Sequence, residues 1–68
     1  MTDNVYKIIE LVGSSTQSSD DAIQQAISRA GKTLHNLDWF EVQDIRGHIV
    51  DGKVGHYQVK LKIGFRLD

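Results

Sequence analysis

The stretch "HIVDGKVGHYQVKLKIGFRL" (residues 48–67) decides the fold. Its Asp51-Gly52 pair separates two runs of alternating side chains, and Asp-Gly is a strong hairpin signal because a type I′ turn needs positive φ at both central positions. Downstream, Tyr57, Val59, Leu61, Ile63, Phe65 and Leu67 fall on one side of an extended chain, with His56, Gln58, Lys60, Lys62, Gly64 and Arg66 on the other. The alternation predicts a strand over about residues 55–67, buried on one face.

Its partner is predicted over residues 39–50. Pairing Val50 with Lys53 sets Phe40 opposite Ile63 and Val42 opposite Leu61 on the buried face. On the polar face Gln43 meets Lys60, Glu41 meets Lys62, and Trp39 lies across from Gly64. A shift of one residue would set apolar against polar throughout, so turn and patterning agree. Gly47 marks a candidate bulge, on which the facing of Asp44 and Arg46 depends. The only tryptophan of the chain therefore sits on the polar face, beside Glu41 and Gln43.

Working outward, "VYKIIELV" (residues 5–12) reads as a first strand with apolar groups on both faces, expected to be buried on both sides. The polar run "GSSTQSSDD" (residues 13–21) reads as a loop entering a helix. Ser18 or Ser19 can cap that helix, and Asp20 and Asp21 suit its positive end. Ala22, Ile23, Ala26, Ile27 and Ala30 then form one apolar stripe, predicting a helix over about residues 19–33. Small alanines let it lie close to a sheet. The expectation is a single α+β domain spanning residues 1–68: β-α-β-β, a three-stranded antiparallel sheet packed on one helix.

With 68 residues and no cysteine, neither disulfides nor thiolate metal sites can supplement so small a core, which favours self-association. A net charge of −1 gives no strong field for nucleic acid or an anionic membrane. No segment has the apolar length of a membrane span and the N-terminus lacks a targeting pattern, so the expected location is cytoplasmic.

The polar sheet face carries the candidate chemistry, and no segment remains to cover it. Trp39 is a half-exposed tryptophan covering a glycine across the strand pair, a residue filling a subunit interface, or a stacking surface for a planar ring. Gln58 would add an amide that both donates and accepts, suited to the edge of a heterocycle. His35, His48 and His56 lack metal-ligand spacing and read as solvated. Glu10, Glu41 and Asp44 show no pairing for acid–base work. Gly13 with its serines offers amides to a phosphate at best through a single glycine, a feature a plain loop also explains. Three readings stay open on residues alone: a ring-binding protein, a ligand-free interaction module whose polar face is only an oligomer interface, and a single-strand nucleic-acid platform using Trp39, Lys60, Lys62 and Arg66.

Four segments in order, "ELVGSS", "DWFEV", "YQV" and "GFRLD", together resemble the dodecin family along almost the whole chain. The resemblance implies β-α-β-β subunits assembled as a hollow homododecamer that stores and sequesters flavin and is not an enzyme. It implies that Trp39 stacks on the flavin and quenches its excited state, and that Gln58 contacts the ring edge. Arg46 in "IRG" and Arg66 in "GFRL" point to FMN over riboflavin, since a guanidinium fork suits a phosphate, with riboflavin or FAD as the alternatives. Asp44 matches a family carboxylate near the flavin. Coenzyme A is a second implied ligand, with Arg29 and Lys32 as its candidates, although Gly31 replaces a charged residue of some relatives.

Overall fold

The protein is described by a computed structural model over residues 3–68. Met1 and Thr2, which begin the segment read for a targeting pattern, lie outside the described residues. Strand β1 (Tyr6–Ser15), helix α1 (Ser19–Ala30), β2 (Leu37–Val50) and β3 (Lys53–Arg66) follow in that order. The sheet is antiparallel with β3 central, in the order β1-β3-β2. This is the expected β-α-β-β architecture.

The hairpin turn closes as its chemistry requires, with φ of 52° at Asp51 and 75° at Gly52. Val59, Leu61 and Ile63 of β3 are fully buried beneath Ala22, Ala26 and Ala30, with Ile9, Leu11, Ile23 and Ile27 around them. Ser18 caps the helix: its hydroxyl accepts from the Asp21 N–H at 3.0 Å. The α-helix stops at Ala30, short of the expected residue 33, because Lys32 and Thr33 bond back to Arg29 and Ala30 in tight turns.

The N-terminal reading needs two corrections. Strand β1 is an edge strand and is not buried on both sides: Ile9, Leu11, Gly13 and Ser15 face the helix, while Ile8 and Val12 are half exposed. The polar run is not a loop from Gly13 onward, since β1 continues through Ser15 and only residues 16–18 connect it to α1. Polar composition misled because these residues serve packing. A Cβ on Gly13 would collide with the backbone carbonyl of Ala22, so the glycine admits the helix onto the strand. Ser15 is buried, donates to Asp21 Oδ2 at 2.6 Å and accepts from the Gln17 N–H at 2.9 Å. Gly13 is thus a packing position and not part of a phosphate loop.

Register holds the second group of corrections. The predicted pairs Trp39–Gly64, Phe40–Ile63, Glu41–Lys62, Val42–Leu61 and Val50–Lys53 all form. Between them, however, Asp44 and not Gln43 pairs with Lys60, and Gly47 pairs with Tyr57 without a bulge. The irregularities fall at Gln43 on β2 and at Gly55 on β3, with a further one at Asp38. One extra residue on each strand cancels the other, which restores the uninterrupted register at Val42–Leu61.

Helix α1 is about 18 Å long at ~1.5 Å per residue, whereas β3 extends about 46 Å at ~3.3 Å per residue. Much of the hairpin therefore lies beyond the helix, and the chain is elongated, 56 × 20 × 13 Å. On the helix side of β2, Phe40, Val42, Ile45 and Ile49 remain 41–75% exposed.

Candidate functional site

The sheet face away from the helix holds two clusters. In the first, the Trp39 indole lies on Gly64: a Cβ there would overlap three carbons of its six-membered ring. Tyr6 of β1 packs edge-on to the indole, centroids 5.1 Å apart and planes at 66°. Trp39 is thus held from below and from one side while 36% exposed. Arg66 stands at the same end of β3. Its N–H donates to the Asn36 carbonyl at 3.1 Å, and Asn36, at a φ of 62°, donates through Nδ2 to Asp68 Oδ1 at 2.8 Å. This clamp fixes the backbone from which the Arg66 guanidinium projects into solvent.

The second cluster is the Arg46–Gln58 rung, with Ser14 of β1 on the other side of Gln58 and Asp44–Lys60 on the next rung. The Gln43 bulge creates it. Simple alternation from Trp39 would put Gln43 on this face and turn Asp44 and Arg46 to the helix side; the extra residue at Gln43 reverses both. Trp39, Asp44, Arg46, Gln58 and Arg66 therefore share one face.

Sharing a face is not proximity. Gly64 and Gln58 lie six residues apart on β3, about 20 Å at the usual rise. A planar ring resting on Trp39 does not reach Gln58 or Arg46 of the same chain. One protomer brings together Trp39, Tyr6 and Arg66, and separately Arg46, Gln58 and Asp44.

Between the clusters, Lys62 is flanked by Glu41 on β2 and Glu10 on β1, and Lys60 by Asp44. Lys62 thus stands between Glu10 and Glu41. Sequence reasoning missed Tyr6 and Asn36. The sequence marks Tyr6 only as one residue of a strand with apolar groups on both faces; its contact with Trp39 joins the two outer strands and depends on β3 being central. His48 and His56, read as separate solvated residues, are stacked cross-strand partners. Of the two cations considered for coenzyme A, Arg29 lines a depression of about 470 Å³ between α1 and the edge of β1, and Lys32 does not.

Comparison with known proteins places this geometry. Residues 5–68 match the family profile described as Dodecin. The chain is 56% identical over 64 residues to the dodecin of Thermus thermophilus, covering 94% of this chain and 93% of that protein. Solved forms of that dodecin include variants with an arginine changed to alanine, at either of two positions, or a tryptophan changed to phenylalanine. The dodecin of Streptomyces davaonensis superposes with a TM-score of 0.94 at 49% identity, covering 98% of both chains. A more distant structure, the calcium dodecin of Mycobacterium tuberculosis, gives a TM-score of 0.82 at 25% identity, over 94% of this chain and 91% of that one. With the profile spanning nearly all of its residues, the chain belongs to the dodecin family of small flavin-binding proteins.

Proposed function

We propose that this protein stores and sequesters flavin, with FMN as its ligand, in a homododecamer whose binding sites are each shared between copies. The carrying observation is the mounting of Trp39: an indole held on Gly64 and against Tyr6, with enough of its surface open to take a planar ring. Because Gln58 and Arg46 stand about 20 Å along the strand, those that meet a flavin on one Trp39 belong to another copy. Gln58 reads the ring edge, Arg46 and Arg66 hold the phosphate and electron-rich edge, and Asp44 lies beside Arg46. Counted along the chain, Trp39, Arg46 and Arg66 stand in the same order and at the same intervals as the tryptophan and two arginines changed in the T. thermophilus variants.

Self-association rests on a second observation. Phe40, Val42, Ile45 and Ile49 form an apolar strip that α1 leaves uncovered, and a neighbouring subunit supplies the cover. Arg29, in its depression beside β1, is where coenzyme A would be held. The working location is the cytoplasm, and the role is binding without catalysis. When bound, flavin supplies a photoreactive ring whose excited state takes an electron from a nearby indole and loses its fluorescence.

Titrating the protein into FMN tests the reading. Flavin emission falls to a plateau, and Trp39→Ala abolishes most of the fall. Equal quenching by the variant overturns the stacking role, and no response from the unaltered protein favours a ligand-free interface module.

A further inference from the structure

His48 and His56 are direct register partners on the face away from the helix, one rung beyond Arg46–Gln58. Alternation along β3 puts His56 there and the Gln43 bulge puts His48 there, while the extra residue at Gly55 lets the turn still close at Val50–Lys53. In the uninterrupted register His48 would pair with Gly55 on the helix side. A side chain at Gly55 would press on Val50 Cγ2 at 2.7 Å and on the His48 carbonyl at 3.3 Å, so glycine keeps the bulge tight. The two imidazoles consequently lie face to face, centroids 5.5 Å apart and planes within 16°. His48 is exposed and His56 partly so, and the adjoining rungs carry Arg46 with Gln58 and Val50 with Lys53.

We propose that His48 and His56 form a two-imidazole chelate for a divalent transition-metal ion, copper(II) in preference to zinc(II). Directly opposed residues in an antiparallel pair have Cβ atoms about 4.5–5.5 Å apart. Two imidazoles so placed can converge on one ion at about 2.0–2.1 Å from each nitrogen once both rings rotate out of the stack. Their exposure gives room for that rotation. Neutral imidazole suits copper, nickel and zinc and serves magnesium or calcium poorly, and copper(II) stands highest among first-row divalent ions. Among the described residues no group of three or more His, Cys, Asp or Glu gathers around an ion. Water or a group from another copy therefore completes the coordination. Arg46 and Lys53 repel a cation, so binding here depends on coordination and not on surface charge. The inference is independent of the flavin reading.

Titration of copper(II) sulfate into the assembled full-length protein, followed by electron paramagnetic resonance, tests it. One copper per chain binds with a nitrogen hyperfine pattern from two imidazoles. His48→Ala, His48→Gln and His56→Ala each weaken binding on the order of 100-fold, the advantage of a chelate over a single ligand. His35→Ala leaves it unchanged. Circular dichroism and particle mass confirm that the His48 and His56 variants remain folded and assembled. The proposal is overturned if the unaltered protein binds copper no more tightly than the His48→Ala/His56→Ala double variant. It is equally overturned if either single variant keeps full affinity.

Discussion

Gly64→Ala tests the mounting of Trp39 without touching the indole itself. The added methyl would overlap three carbons of the ring, which must withdraw by roughly 1 Å or more to reach ordinary carbon–carbon contact of about 3.5–4.0 Å. Tyr6 blocks one side, so the ring lifts away from the sheet toward solvent. In the free protein this relief is cheap because Trp39 is already 36% exposed. The stability loss should stay near the ordinary cost of a point substitution, about 1 kcal/mol. The ligand bears the larger cost, since the displaced indole occupies space meant for the flavin ring. Stacking of a planar base on an aromatic is worth about 1–3 kcal/mol, which corresponds to a loss of about 5- to 150-fold in affinity. Fluorescence titration with FMN, run beside urea unfolding, separates the two effects. Unchanged FMN affinity, or a loss of affinity matched by general unfolding, would refute the argument.

Three further substitutions probe other parts of the account. Gly13→Ala drives a methyl into the Ala22 carbonyl, where neither backbone can give way; it should cost about 3 kcal/mol or more, seen as a large drop in urea midpoint. Gly52→Ala meets no atom within 4 Å but must hold a φ of 75°; it should cost about 1–2 kcal/mol in the same assay and leave flavin affinity unchanged. Arg46→Ala removes a charge-assisted contact worth about 1.5–3 kcal/mol, so FMN binding should weaken about tenfold or more while riboflavin binding barely changes. Parallel titrations of the two flavins measure that difference.

The hairpin was legible because three independent signals agreed: Asp51-Gly52 chemistry, the alternation along β3, and the apolar matches across it. The helix was legible from its alanine stripe and its serine cap. The bulges were not. The extra residues at Gln43 and Gly55 lie on opposite strands and cancel, so the pairs of Trp39 to Val42 on one side and of Ile49 and Val50 on the other keep the register of a regular hairpin. Only Asp44, Ile45, Arg46 and His48 report the shift, and Ile45 alone among them is apolar. Gln43 carries no glycine to mark the break, whereas Gly47, which suggested one, pairs regularly. The end of β1 was hidden for another reason. Ser14 and Ser15 look like loop residues until Ser15 is seen buried and bonded to Asp21.

The same distinction applies to the candidate site. Trp39 opposite Gly64 followed from register, and the family resemblance supplied Arg46, Arg66 and Asp44. The separation of Trp39 from Gln58 was implicit in their positions, since strand rise alone sets them about 20 Å apart. That separation is why the proposed flavin site draws on more than one copy.

Complementation between inactive variants tests the shared site most directly. Trp39→Ala keeps an intact Gln58, and Gln58→Ala keeps an intact Trp39; each alone should quench FMN weakly. Co-expressed in one particle, the two should recover quenching at sites that draw Trp39 from one copy and Gln58 from another. Mixed particles of confirmed composition that quench no better than the average of the two variants would contradict a site shared between copies.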